Sequence, residues 1–543
     1  MSVLGPLVQW FLLTPLGSFL QTQHLFHLLP EFVLLMIIGF GLFQASAKTD
    51  EERGVTWVMV FWGLLLALFI NTIDFLYTFV DPVTHSLYTS PVNIPVFYDM
   101  FRQDLLSASA RWLVLLGTLL VLLMSRQYVE KQSSSHAEFP IVLLGATFGA
   151  LLMTGANDLI MMFVGLETLG ISSFILSGYF RDNAASAEAS LKYLLYGGIS
   201  TAVLLFGFSL LYGLSGGYTQ FPMMIEAIGQ LDMAQFQPVI AIMLVMIVGG
   251  LSFKLSAAPF HMWTPDVYSG APTPVTAYLS VVSKIAAFAL VIRFTLLILQ
   301  HLAPVSADGT NVLSLIFLAV AMLSMVIGNL AALRQANIKR MMAYSTIAHV
   351  GYLLVAFVVM QEATMATVVY YLMAYLFMNL GAFAIVTLIG QESNTESISE
   401  YSGLIQKKPF MTLALTLFML SLAGMPITAG FFAKFFLFQS IVGASPMNMG
   451  IFIFAFANSV VSMFYYLNVI RLTVVGEPSD TVKVMSRRVT LSQTLPVLSC
   501  VLICLIGTIV LGFYAEPMLN VAQTSLAHLG QFDPYANVLF FAE

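Results

Sequence analysis

The stretch GLSFKLSAAPFHMWTPD, residues 250–266, closes a long apolar run and then sets a lysine, a proline and a histidine within eight positions. A helix in an apolar medium excludes all three unless something compensates. Pro259 has no N–H to bond the carbonyl of Leu255, so the helix breaks there. Broken backbone is tolerated at membrane depth only inside protein or around a hydrated cavity. A break beside Lys254 and His261 is therefore a wet, ionisable spot. Histidine titrates near neutrality, and both side chains can pass protons there.

That apolar run is one of many. The 543 residues are 59% hydrophobic and only 9% charged, where soluble domains are roughly 25% charged. A spanning helix needs about 20 mainly apolar residues, and no ten-residue segments of alternating polarity suggest a membrane barrel. The chain reads as an all-α polytopic membrane protein of about fourteen transmembrane helices. These fall near 31–46, 55–77, 107–125, 138–154, 157–179, 186–213, 237–258, 273–299, 311–333, 338–360, 364–389, 410–440, 450–474 and 491–515. The first twenty residues are apolar without a preceding basic region and read as a retained, interfacial segment rather than a signal peptide. Cys500 and Cys504, the only two cysteines, cannot ligate an iron–sulfur centre or a zinc finger within this chain and read as packing residues.

Of the 21 Lys and Arg, fourteen fall in loops or flanks of one side, Arg102 falls on the other, and six lie within spans. This asymmetry places the basic side in the cytoplasm or an equivalent compartment and both termini opposite. The six are Arg111, Lys192, Lys254, Lys284, Arg293 and Lys434. Each lysine at a helix centre costs about 2.5–3.5 kcal/mol on the insertion scale, so the four together cost about 10–14 kcal/mol. They must face one another, acids or water. Glu167 is the one acid deep in a span, while Glu31 and Glu188 lie nearer span ends.

A second break resembles the first. SLAGMPITAGFFAKFF, residues 421–436, holds Pro426 in an apolar run with Lys434 eight positions on. Paired interrupted helices point to an internally repeated transporter. The spacing divides the chain into an N-terminal segment with three helices (1–137), a five-helix unit (138–299), a second five-helix unit (311–474) and a final loop, helix and tail (475–543). Each unit has its interrupted helix fourth, and an odd number of spans gives the two opposite topology.

Several side chains also have plainer readings. Lys192 can form a structural ion pair with Glu167 or Glu188, His261 can be a hydrogen-bonded loop histidine, and His349 in STIAHVGY can bond a backbone carbonyl. Arg111 and Arg293 can snorkel to an interface, the preferred reading for Arg111. The thirty methionines and frequent Phe read as lipid-facing or packing residues. The combination of four intramembrane lysines, one deep acid and two broken helices still fits a proton route across several helices.

At these residues the chain resembles the antiporter-like, proton-translocating membrane subunits of complex I-type quinone oxidoreductases, and among them the N-type, or subunit 2. FKLSAAPFHMWTPDVYSGAPTPVTAYLSVVSK, residues 253–284, carries most of the likeness, and its WTPDVY and APTPV elements separate the N-type from the M- and L-types. GANDLIMMFVGLETLGISSFILSGY, EASLKYLLYGG and IKRMMAYSTIAHVGY agree. The resemblance implies two inverted five-helix repeats in the membrane arm of a large complex in an energy-transducing membrane. It implies a relay of Glu167 paired with Lys192, then Lys254, His261 and Lys284, leading through a central polar axis, with His349 on it, to Lys434. It implies no cofactor in this chain, with iron–sulfur clusters and quinone in partner subunits. Its partners would be L- and M-type and small membrane subunits, the peripheral-arm iron–sulfur subunits and lipids, without nucleic acid.

The family often has Glu where this chain has Ser269, and the N-terminal thirty residues exceed the common bacterial length. LLYGLSGGYTQ and the segment 477–488 look cyanobacterial or plastid-like, whereas AHVGY is closer to respiratory bacterial forms, so donor (NADH or ferredoxin) and quinone stay open. A subunit of a multi-subunit Na⁺/H⁺ antiporter is the alternative, against which WTPDVY argues. A purely structural membrane-arm subunit is a third reading, and it leaves the cost of the lysines unexplained.

Overall fold

The computed structural model describes residues 24–45, 50–79, 93–132, 136–303, 311–393, 395–442, 446–485, 491–526 and 529. The N-terminal segment read as interfacial lies outside them. Helices α1 (Leu29–Ala45), α2 (Asp50–Phe79) and α3 (Leu105–Gln132) come first, with a two-stranded antiparallel ribbon, β1 (Ile94–Val96) and β2 (Phe101–Gln103), between α2 and α3. Helices α4 (Glu138–Thr154), α5 (Leu159–Ser177), α6 (Ala184–Leu214) and α7 (Met233–Leu255) follow, then α8 (Trp263–Gly270), α9 (Thr273–Ser280) and α10 (Val282–Phe294). The second half holds α11 (Val312–Ala332), α12 (Ile338–Leu354), α13 (Glu362–Ser393), α14 (Pro409–Ala423), α15 (Ala429–Ile441) and α16 (Pro446–Val475). Helices α17 (Leu491–Phe513) and α18 (Ala515–Leu526) close the described chain.

Among the described residues, 12 helices are long and apolar enough to cross a membrane. The span read at 138–154 is the shorter apolar helix α4, and the one read at 410–440 is divided between α14 and α15. Helices α3, α10, α12 and α13 form the buried centre, whereas α1, α2, α6 and α16 are mostly exposed. Phe43, Trp62, Phe69, Ile199 and Phe464 all point outward. Lipid tails are as apolar as these side chains, so such an exterior is stable in a bilayer.

Close helix packing rests on glycine. A Cβ on Gly149 in α4 would stand 2.4 Å from the Leu169 nitrogen in α5, and one on Gly328 in α11 would stand 2.6 Å from the Ala348 nitrogen in α12. Backbones this close need small residues at the contact. The following helices start from side-chain caps: Asp158 accepts from the N–H groups of Ile160 and Met161, and Asn337 from that of Arg340. Such caps satisfy N–H groups that no intrahelical carbonyl reaches. Asp158 also bridges to Gln220, and Asn337 bridges to Ser397. The two halves thus repeat one local plan. Gly149 and Gly328, Asp158 and Asn337, and the last residues of α6 and α13 are each 179 positions apart.

Both expected breaks are present. Helix α7 ends at Leu255, Ser256 turns left-handed at φ 65°, and α8 begins at Trp263. Helix α14 ends at Ala423, and the left-handed Gly424 at φ 82° turns the N–H of Met425 back onto the Leu420 carbonyl while its own N–H meets Ser421; Thr428 caps α15. A left-handed residue at this position satisfies the end of a helix. A third break was not expected. The span read as continuous over 273–299 is interrupted at Val281 (φ −121°, ψ −66°), three residues before Lys284.

Candidate proton-transfer site

Each proline break frees carbonyls at the end of a helix, because the next turn no longer supplies their N–H partners. A buried lysine meets them at both places. Lys284, in the first turn of α10, donates from Nζ to the Lys254 carbonyl at 2.8 Å and to Ser256 Oγ at 2.6 Å, with the Trp263 ring centroid 5.2 Å away. Lys434, in α15, donates to the carbonyls of Leu422 and Ala423, both at 3.1 Å, and lies 5.3 Å from the Tyr352 ring centroid. The partial negative charge of a helix C-terminus favours a cation at these points, and an aromatic face adds to it.

Lys254 lies at the end of α7, and its Nζ is 4.0 Å from where a Cβ on Gly170 would stand. It therefore faces α5 one turn after Glu167. Glu167 accepts a hydrogen bond from Thr201 Oγ1 at 2.7 Å. His261 lies in the break itself, with its Nδ1 buried and unpartnered and its carbonyl accepting from the N–H of Thr264. The first-half break thus gathers Lys254, His261 and Lys284.

Lys192 is not placed as the resemblance implied. Its Nζ pairs with Glu188 and with Asp266, both at 2.7 Å, rather than with Glu167. The reason is position: one helical turn separates Glu188 from Lys192, and α8 carries Asp266 to the same spot. Asp266 also meets Arg340 at 3.0 Å, so it joins α6, α8 and α12. The sequence alone assigns Asp266 no role, although an acid inside the apolar, proline-bearing WTPDVY motif is a signal for one. Lys339, sorted with the loop charges, is buried, donating to the carbonyls of Ser269 (3.0 Å) and Ala271 (2.8 Å) and pairing with Glu396 at 2.8 Å. Ser269 turns its hydroxyl back onto the Pro265 carbonyl at 2.8 Å.

His349 does not bond a backbone carbonyl. Its Nδ1 lies 2.6 Å from the Tyr371 hydroxyl and its Nε2 lies 3.0 Å from that of Tyr466. Neither tyrosine was singled out in the sequence. Arg111, read as snorkelling, and Arg293, for which snorkelling is one of the readings, are both buried. Arg293 grips Asp104 with two contacts, at 2.7 and 2.8 Å. Arg111 meets Glu31 at 3.3 Å, Asp74 at 3.2 Å, the His27 carbonyl at 2.8 Å and the side chain of Gln103. Glu31 of α1, Asp74 of α2 and Asp104 just before α3 supply carboxylates for these arginines inside the bundle, so neither needs to reach an interface. Cys500 and Cys504 are buried free thiols. Among the described residues, no three or more His, Cys, Asp or Glu stand together in a way that could hold a metal ion.

Broken apolar helices in a polytopic bundle, with buried lysines on their freed carbonyls, define an antiporter-like membrane subunit. Residues 156–464 match the family model described as NADH:quinone oxidoreductase/Mrp antiporter, TM. The chain is 43% identical over 444 residues to the NAD(P)H-quinone oxidoreductase subunit 2 of Thermosynechococcus vestitus, covering 81% of this chain and 83% of that protein. To the chloroplastic subunit 2 of Chlorokybus atmophyticus it is 36% identical over 517 residues, 94% and 96% of the two chains. Among solved structures, a chain of respiratory complex I from Thermus thermophilus superposes with a TM-score of 0.70 at 27% identity, covering 91% of this chain and 99% of that one. A chain of the Mrp complex from a Dietzia species gives a TM-score of 0.75 at 21% identity over 93% and 98%, a likeness of fold. The chain belongs to the NAD(P)H-quinone oxidoreductase subunit 2 family.

Proposed function

We propose that this chain moves protons across an energy-transducing membrane as a membrane-arm subunit of a complex I-type quinone oxidoreductase, while electron transfer takes place in other subunits. Its route comprises Glu167, Lys192, Lys254, His261, Lys284, His349 and Lys434. One observation carries the reading: at each proline break a buried lysine Nζ donates to carbonyl oxygen that the break frees, one at the first and two at the second. A scaffold has no use for two such costly arrangements. A carrier does, because a proton leaving the lysine also changes what holds the broken helix end.

The division into two five-helix repeats of opposite orientation, 138–299 and 311–474, belongs to this reading, supported by the spacing of 179 between matching glycines and caps. So do termini on the side opposite the basic loops and the absence of a redox cofactor in this chain. The same holds for neighbours of L- and M-type, small membrane subunits, lipids, and the iron–sulfur subunits of a peripheral arm. Charge changes reaching Lys192 would alter its pairing with Glu188 and Asp266 and free it toward Glu167, next to Lys254. Each step needs only modest free-energy differences, since one pKa unit is about 1.4 kcal/mol.

Lys254→Ala in the assembled complex tests the route. Proton pumping per quinone reduced should fall about tenfold or more in a complex that still assembles. Undiminished pumping would remove Lys254 from the mechanism. Sodium-dependent transport by this chain without any redox partner would move it to the antiporter reading.

A further inference from the structure

The spacing of 179 places Thr346 where the first half has Glu167, His349 where it has Gly170, and Tyr371 where it has Lys192. The second half therefore lacks the acid and the lysine at these positions and has neutral groups instead. They are wired together. His349 on α12 is fully enclosed, with Tyr371 of α13 on one ring nitrogen at 2.6 Å and Tyr466 of α16 on the other at 3.0 Å. The Tyr466 hydroxyl also meets Ser345 Oγ. Tyr375 flanks the ring at 5.2 Å and donates to Thr346 Oγ1 at 3.0 Å. Tyr352, 6.0 Å from the imidazole centroid, is the ring over which Lys434 lies.

From this we infer that Tyr371, His349 and Tyr466 form a neutral proton relay that serves the second half where the first half has the charged positions Glu167 and Lys192. The inference rests on the proposed function above. In a neutral imidazole one nitrogen bears the proton and the other accepts. With a hydroxyl on each, one tyrosine donates to the ring and the other accepts from it. When the donating tyrosine passes its proton to the bare nitrogen, the opposite nitrogen releases its own to the accepting tyrosine, which passes its hydroxyl proton on to Ser345 or a water. The first tyrosine takes its replacement proton from a water on the side of its hydroxyl away from the ring. One proton has then crossed from α13 to α16, no net charge has accumulated, and the ring is left as the other tautomer. Hydroxyl rotation and a return of the tautomer reset the chain. A neutral relay avoids bringing a further charge into a site that already faces the Lys434 ammonium.

Tyr371→Phe and Tyr466→Phe, each in the assembled complex in inverted membrane vesicles, test this. Pumping is read per molecule of a short-chain quinone reduced, with NADH or reduced ferredoxin as the wild-type complex requires. Each variant should lose about tenfold in coupled pumping, and the rate ratio between H₂O and D₂O should rise, a change that a packing role would not produce. Tyr401→Phe, at a buried hydroxyl without a partner, should pump normally. Should either Phe variant fail to assemble, His349→Gln decides: it keeps polar groups facing both tyrosines but cannot pass a proton through, and must also lose pumping. Normal pumping and an unchanged isotope ratio in the tyrosine variants, beside a defective Lys434→Ala, would overturn the relay and leave the lysine route standing. Normal pumping in Lys434→Ala as well would overturn both.

Discussion

Arg293 and Asp104 are joined by two short contacts with both side chains buried or nearly so. Removing one partner of a buried pair leaves an uncompensated charge and costs about 3–5 kcal/mol. Asp104→Ala should therefore lower the thermal stability of the purified complex or prevent its assembly. A melting temperature equal to wild type would mean that the guanidinium finds water or another acceptor. The same residue scale shows what the sequence offered. Cost alone picked out Lys254, Lys284 and Lys434, because an ammonium in an apolar run has to be explained wherever it folds. Partners were harder. Lys192 could be paired with several acids by sequence distance, and only the folded position of α8 selects Asp266. Arg111 looked like a snorkelling residue because Glu31 and Asp74 come from other helices, 80 and 37 positions away.

At the scale of elements, proline and glycine made two breaks legible, and the carbonyls they free explain where the lysines point. The break at Val281 had no such signal: no proline or glycine marks it, and its neighbours are buried on all sides. Helix contacts were equally hidden, since a glycine in an apolar run does not say which backbone approaches it. The contact of α11 with α12 makes the point testable. Gly328→Leu would place side-chain atoms where the α12 backbone lies, and overpacking of this kind costs about 1–3 kcal/mol or more. Assembly on a native gel should drop sharply. Gly390→Ala, where a Cβ meets nothing within 4 Å, should leave assembly unchanged. Equal yields from the two variants would mean that α11 and α12 can separate without cost.

For the whole molecule, apolar content and charge sorting were enough to give a polytopic helical bundle, because both follow from the bilayer as solvent. The internal repeat was weaker in the sequence, since residue identity between the halves is low. What persists at fixed spacing is backbone chemistry, a glycine where two helices touch and an Asp or Asn where the next begins, while the break where a lysine waits recurs at a different spacing. The chemistry of the two halves has meanwhile diverged, with Glu167 and Lys192 on one side and Thr346, His349 and Tyr371 on the other. Between them stands Lys284, bonded to the broken end of α7 and carried by Thr273–Leu302, the most buried of the candidate membrane spans among the described residues. The proposed route across the molecule passes through it. The decisive measurement is the number of protons pumped per quinone reduced by the assembled Lys284→Ala complex. Coupled pumping should fall about tenfold or more with assembly intact, and wild-type pumping from that complex would contradict a route through Lys284.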